Sequence, residues 1–391
     1  MKIAHLADIH LGFRQYYRQT PVGINQREAD VANAFRLAVE AVLAAAPDAV
    51  LVAGDLFHSV RPTNAAIIHA YRQLQRLRDG LPEAPIIVIA GNHDTPRSSE
   101  TGSILRLYEE LGVDVALDEA RRFVYPALDL SVLAVPHQAL RAPERTALRP
   151  EGSSRHQVLL LHGEVEGVYP PEISGAAYGG ATVRRDEVRA DDWSYVALGH
   201  YHVQYQVEPR MWYAGALEFT TTNPWGELRD AQRKGSEGKG WLLVELPSGA
   251  VTRQAVPLPR RVIDLPPLYG DGVTAEVLDR LIQERLEGIA GGYADQIVRQ
   301  VVFTVPRESG RQLNHAAIRA VKASALHYQL DLRRPESGRG IGVDAGGRRQ
   351  PLAEVLRDYL ARRPLPAELN REEFVAAGAA LLDAVIRDED G

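Results

Sequence analysis

No cysteine occurs among the 391 residues, which excludes disulfides and thiolate metal sites and leaves His, Asp, Glu and Asn as candidate ligands. Lysine is nearly absent as well. Only Lys2, Lys234, Lys239 and Lys322 occur, so arginine supplies almost all of the 45 basic groups. Hyperthermophile proteomes favour Lys with Glu, so this skew reads as codon bias rather than heat adaptation. No apolar run approaches the roughly 18 residues of a membrane-spanning helix. No signal peptide precedes the first strand, since the chain opens Met-Lys-Ile-Ala-His-Leu-Ala-Asp; the expectation is a cytoplasmic protein. A surplus of positive charge is also missing. The formal net charge is −6, so there is no global signature for nucleic acid, although bound divalent cations would invert the local charge of an acidic site.

What is present fits a globular chain of two or three domains with one substantial core. Residues 2–7, 49–53 and 86–90 read as short buried strands. Helical patterns at 30–45, after Pro62, and at 99–111 alternate with them, which argues for α/β topology. Beyond Val113 the texture turns to strands at 122–125, 130–136, 157–161, 195–198, 211–214 and 240–246. Residues 217–239 read as a long, polar, mobile loop. A boundary falls near Pro257–Pro259, giving a domain over 1–256 and a small α/β unit over 257–334. The Gly- and Arg-rich stretch 335–350 reads as a linker, and 351–391 as two helices, the second with an apolar stripe from Phe374 to Ile386.

The strands of the larger domain end in an unusual way. After Ile86–Ala90 comes Gly91-Asn92-His93-Asp94. Glycine lets the backbone turn sharply, and three polar side chains are delivered at the carboxyl edge, where open α/β sheets place their ligand sites. Asn offers a neutral oxygen to a hard cation, His can ligate or move a proton, and Asp can orient that His. The other strands repeat the pattern: Asp8-Ile9-His10, Gly54-Asp55-Leu56-Phe57-His58, His162-Gly163-Glu164 and Gly199-His200-Tyr201-His202. Six of the twelve histidines stand just beyond a strand. Mixed carboxylate, amide and imidazole ligands of this kind suit hard divalent cations, and two such ions can clamp an in-line displacement at phosphorus. The segment Arg14, Tyr16, Tyr17, Arg18 interleaves aromatic and basic residues that could stack bases and hold phosphates, or could be a solvated loop.

These five motifs, in this order over residues 5–205, resemble the calcineurin-like metallophosphoesterase superfamily. The resemblance implies an α/β fold: a core of two packed β-sheets flanked by helices, a small α/β cap domain and a C-terminal helical pair. It assigns Asp8, His10 and His202 to one divalent cation, and Asn92, His162 and His200 to a second, with Asp55 bridging. His93 would protonate the leaving oxygen and Asp94 would orient its ring. The ions implied are Mn²⁺, with Mg²⁺ as the alternative.

Within the superfamily, Ala7-Asp8-Ile9-His10-Leu11-Gly12, Gly54 to Ser59, Gly91 to Pro96 and Leu161 to Gly167 look most like the SbcD-type nuclease subunits of double-strand-break repair complexes. That implies a DNA endo- or exonuclease with His58 on the substrate phosphate, a DNA-binding cap at 257–334, and terminal helices that dock on an ABC-type ATPase. It also implies a homodimer through the helices that follow the second and third motifs, whose stripes at Ile67–Leu77 and Ile104–Tyr108 are otherwise core-facing. Two features depart from that pattern: Ala216 stands where these proteins carry Ser, and 220–239 diverges. The competing readings are a small-molecule phosphodiesterase or phosphatase of the same superfamily, and a non-catalytic scaffold on the same fold. The remaining histidines, His137 among them, read as core or surface residues.

Overall fold

A computed structural model describes residues 1–96, 102–169, 181–236 and 238–334, and, toward the C-terminus, 356, 357, 359–361, 365 and 370–389. The expected linker 335–350, the start of the helix at 99–111 and most of the first C-terminal helix lie outside the described residues.

Two six-stranded sheets form the core, as expected. The first contains β1 (Lys2–Leu6), β2 (Ala49–Val52), β3 (Ile86–Ile89) and β4 (Asp114–Ala116), all parallel. It is completed by β13 (Gly240–Glu245), antiparallel to β1, and β14 (Ala250–Ala255). In the second, β6 (Leu130–Val135), β7 (His156–His162), β10 (Tyr195–Gly199) and β12 (Met211–Tyr213) run parallel. Antiparallel strands β5 (Arg121–Tyr125) and β11 (Tyr205–Glu208) close its two edges, while β8 (Glu164–Val165) and β9 (Thr182–Val183) pair in a separate two-stranded sheet. The strands are apolar on both faces because both faces are covered. Ile3, Leu51, Ile87 and Ile89 pack between the sheets with Val132, Val158, Leu160 and Ala197. Their alternate neighbours Leu6, Val52 and Val88 meet α1 (Gln26–Ala45) and α2 (Asn64–Gly80). On the far side, Leu133, Leu159 and Leu198 pack with Trp193 and with Val188 of α4 (Arg185–Val188).

Helix boundaries follow their caps. α1 starts earlier than its apolar pattern suggests, because the Asn25 side chain accepts from the Arg27 and Glu28 amides. Thr63 caps α2 in the same way, just after Pro62. Residues 104–111 wind as a 3₁₀ helix, with Leu105 and Tyr108 buried and Leu107 exposed. The segment expected as a mobile loop at 217–239 instead holds α5 (Pro224–Arg233), capped by Asn223, and buries Leu217, Glu218, Trp225, Glu227 and Lys239. Arg27, itself buried, grips this segment through Glu218 (3.1 Å) and the Phe219 carbonyl (2.8 Å).

A three-stranded sheet in the order β15 (Val262–Tyr269), β16 (Ile297–Phe303), β17 (His327–Leu332) follows. It is accompanied by α6 (Ala275–Glu287), α7 (Arg307–Gln312) and α8 (His315–Ser324), and α9 (Arg371–Glu389) ends the chain. The chain separates into two compact units: Met1–Leu265 with Ile289–Arg299 and Ala316–Gln329, and Pro266–Gly288 with Gln300–His315 and Leu330–Gly391. Among the described residues, no helix is long and apolar enough to cross a membrane.

A fully buried polar contact crosses the apolar space between the large sheets. His5 of β1 lies 2.9 Å from the Tyr195 hydroxyl of β10. Burial lowers the His5 pKa from 6.5 to about 3. The unfolded chain therefore takes up a proton near pH 6.5 that the folded chain refuses until pH 3. This contribution to stability is complete above pH 6.5 and is lost as pH falls through that window. A His5→Asn variant, compared with the wild type by denaturant titration at about pH 7.5, above the window, and about pH 5, within it, is expected to lose less stability on acidification.

Candidate metal centre

All five parallel strands that carry the polar motifs point their carboxyl ends at one edge of the sandwich, so the loops converge. The exits of β1 and β2 are laced together by backbone hydrogen bonds: Asp8 to Gly54 (3.0 Å), His10 to Asp55 (2.9 Å), and His58 back to Leu11 (3.0 Å). The approach is so close that side chains are excluded, at Gly91 and Gly199 among other places. A Cβ on Gly91 would lie 2.1 Å from an Asp55 oxygen, and one on Gly199 would lie 1.8 Å from the Ala53 carbonyl. The turns are strained too. Asp8, His10, Asp55 and His200 all hold positive φ, between 52° and 102°, a conformation that costs non-glycine residues about 1–3 kcal/mol each.

The structure brings together all seven residues expected as ligands. One nitrogen or oxygen each from Asp8, His10 and His202 lie within 4.8 Å of one another, as do those of Asp8, Asp55 and His162. The His10 and His202 Nε2 atoms are 3.0 Å apart. Asn92 presents its side-chain oxygen 2.9 Å from His162 Nε2 and 3.0 Å from His200 Nδ1. One Asp55 oxygen accepts from the His93 amide (2.8 Å); the other lies between His10 (3.7 Å) and His162 (3.5 Å), one ring from each expected ligand set. Both Asp8 oxygens accept from the His200 amide at 3.0 Å.

Electrostatics make this a site that asks for positive charge. Burial, then the charge of Asp55, pushes Asp8 well above the usual carboxylate range. Burial raises Asp55 to about 6, against the pull of the His93 ring and amide. The imidazoles are driven the other way: burial lowers His162 to about 3, burial plus neighbouring rings puts His10 and His200 well below 6.5, and burial, then the Lys239 charge, does the same to His202. Neutral rings are what a cation needs as ligands. His162 is also held by Nδ1, 2.7 Å from the Ala53 carbonyl, which turns Nε2 toward the cluster. His200 Nε2 is buried without a hydrogen-bond partner. The donor set therefore fits divalent cations of the mixed nitrogen and oxygen type.

The other expected site residues divide. His93 and His58 line a cleft of about 1450 Å³ over the cluster, their rings stacked at 5.1 Å. His93 Nδ1 pairs with the His58 carbonyl at 2.8 Å. Asp94 does not orient that ring as expected; its carboxylate accepts from the amides of Leu56 (3.1 Å), Phe57 (2.9 Å) and Gly91 (3.1 Å) and so shapes the turn itself. Burial, then Asp55, raises it to about 7. Arg14, Tyr16, Tyr17 and Arg18 are not among the residues lining the cleft. Arg14 pairs with Glu28 (2.7 Å), Tyr16 stacks on His327 (4.0 Å), and Arg18 pairs with Asp295 (2.6 Å), which leaves only Tyr17 fully exposed.

Sequence reasoning passed over two features. His137 stands just past β6, as the expected ligands stand past their strands, and its ring lies 6.3 Å from that of His162. The clue was present: Pro136-His137 ends an apolar strand. Beside His202 lies a buried ion pair, Glu227 with Lys239. Lys239 also donates to the His202 carbonyl (2.9 Å), and Glu227 accepts from Thr221 (3.0 Å).

The comparisons agree with this geometry. Residues 1–204 match the family model described as calcineurin-like phosphoesterase. A DNA double-strand break repair protein Mre11 from Sulfurisphaera tokodaii is 30% identical over 268 residues, 65% of this chain and 62% of the relative. The protein of the same name from Saccharolobus solfataricus is 28% identical over 212 residues, 53% and 51% of the two chains. The chain thus spans between half and two thirds of the length of these curated relatives. A crystal structure from Thermus thermophilus matches 66% of this chain and 99% of that one at 12% identity, with a TM-score of 0.36, too slight to carry weight.

Breaking the Glu227–Lys239 pair from one side leaves a buried charge alone, which costs about 3–5 kcal/mol. Lys239→Met is therefore expected to lower the denaturation midpoint and weaken divalent-metal binding measured by calorimetry. Lys239→Met combined with Glu227→Gln should recover most of the lost stability.

Proposed function

The chain belongs to the calcineurin-like phosphoesterase family, and from that premise we propose that it hydrolyses DNA phosphodiester bonds with two Mn²⁺ ions as the nuclease subunit of a double-strand-break repair complex. The observation that carries this reading is the convergence of three carboxylate and amide side chains and four imidazoles from five strand ends beneath one large cleft. The printed name of the archaeal relatives supports the substrate. In this reading Asp8, His10 and His202 would hold one ion and Asn92, His162 and His200 the other, with Asp55, which lies between His10 and His162, shared by the two sets. Bound there, the ions supply Lewis acidity and an activated water.

The chain's own residues do the rest. The His58 carbonyl accepts from His93 Nδ1–H, so the doubly protonated ring gives its Nε2 proton to the departing oxygen and is left as the neutral tautomer with Nδ1 still donating. His58, stacked on that ring, contacts the phosphate. Asp94, on the loop that carries His93, ties it through two of its three amide bonds to the loop that carries His58. Residues 257–334 serve as the DNA-binding cap, and 351–391 dock on an ABC-type ATPase partner in the cytoplasm. A homodimer through α2 and residues 104–111, where Ile68 and Leu107 stay exposed, belongs to the same reading.

With Mn²⁺ the purified protein is expected to degrade linear duplex or single-stranded DNA as well as bis-p-nitrophenyl phosphate. Excess EDTA should abolish both activities, and His93→Ala should lower them by about 10²–10⁴-fold. Cleavage of the small ester alone would point to a small-molecule phosphodiesterase. Deleting residues 336–391 is expected to abolish capture of the ATPase subunit while Mn²⁺-dependent hydrolysis stays measurable; retained capture would place the docking surface elsewhere.

A further inference from the structure

The cleft over the cluster is larger than a small phosphoester requires, since ligand pockets for small molecules run to about 300–1,000 Å³ against about 1450 Å³ here. Its lining is also one-sided in charge. Among the described residues, Asp55, sealed beneath the histidines, is the sole carboxylate that lines it. Two exposed arginines line it as well: Arg61 on the loop leaving β2, and Arg141 at the end of α3 (His137–Arg141), the short helix after β6. One guanidinium thus comes from each large sheet. Most arginines near the site are already occupied, as Arg14, Arg18 and Arg27 are, whereas no ion pair within 4 Å involves Arg61 or Arg141 among the described residues. A second observation marks the same wall. His137 lies at the other end of α3, one turn from Arg141. It is 2% exposed, lines the cleft, and keeps a buried Nδ1 without a hydrogen-bond partner.

We propose that Arg61 and Arg141, with His137 beside Arg141, form a subsite for the backbone phosphates that flank the scissile one. The assignment rests on the DNA reading above and replaces the segment from Arg14 to Arg18 as the anion-gripping element. A guanidinium offers two parallel donors to a phosphate. A free phosphomonoester or a small diester ends at the metal centre and cannot reach such a subsite, so the wall selects for a polymer. It also reconciles a net charge of −6 with a polyanionic substrate, because the positive field is confined to the cleft.

The test uses the full-length chain and a labelled DNA duplex in Ca²⁺, with affinity read by fluorescence anisotropy across a salt series. Arg61→Ala and Arg141→Ala are each expected to weaken binding roughly tenfold and to reduce the slope of log affinity against log salt by about 0.9. Arg61→Lys and Arg141→Lys should keep the wild-type slope, since the charge remains. With Mn²⁺, the loss in kcat/KM should be larger on DNA than on bis-p-nitrophenyl phosphate, which has no flanking phosphate. Unchanged slopes in the alanine variants would overturn the assignment, as would equal losses on both substrates. Wild-type protein that cleaves the small ester and leaves DNA intact would sink the DNA reading and this subsite with it, an outcome visible before any variant is made.

Discussion

Two carboxylates sealed from water side by side are the constraint on which this structure turns. Asp8 and Asp55 are buried with their oxygens among imidazole nitrogens that burial keeps uncharged. Such a cluster is poorly stabilised by its own ligands, because the rings of His10, His162, His200 and His202 are themselves too desolvated to take a proton. Divalent cations remove the conflict: the carboxylates stay ionised and the neutral rings become ligands. The surrounding backbone is arranged around that requirement. The positive φ at Asp8, His10, Asp55 and His200, and the absence of a Cβ at Gly91 and Gly199, are what let five loops crowd into one volume.

The same requirement explains the framework behind the site. His202 comes from the loop after β10, and its ring lies against that of His10. It is steadied by residues 217–239: Thr220 lies 3.4 Å from its Nδ1, and Lys239 holds its carbonyl. That segment is in turn anchored by Arg27 on α1, which joins the helix layer of the first sheet to a ligand loop of the second. A buried ion pair is weak evidence for stability by itself. Here the Glu227–Lys239 pair fixes a position, which is the better attested use of such pairs.

What could be read in the sequence, and what could not, follows from the range of the interactions. The strand ends were legible because apolar runs closed by Gly and a polar cluster are local, and their repetition points to one edge of a parallel sheet. Residues 217–239 defeat a reading by composition, which reports polarity and not partners: Glu227 and Lys239 look solvated until a tertiary contact pairs them. Asp94 was placed on the His93 ring by adjacency, whereas its oxygens are taken by three backbone amides, two of them from a different strand's loop. Arg14 and Arg18 look like phosphate contacts from the interleaving of basic and aromatic residues, but their carboxylate partners Glu28 and Asp295 are 14 and 277 residues away.

His137 shows the limit from the opposite direction. Its local signature matches that of the ligands, yet its strand, β6, borders β7 on the side away from β10, so its ring reaches His162 only edge-on at 6.3 Å, outside the cluster. A strand-end histidine therefore becomes part of the centre or of its wall according to where its strand falls in the sheet order. Sheet order is set by which faces can be buried together, a property of the whole chain. The chemistry of each residue is local, but its assignment to the metal cluster or to the substrate wall is made by topology.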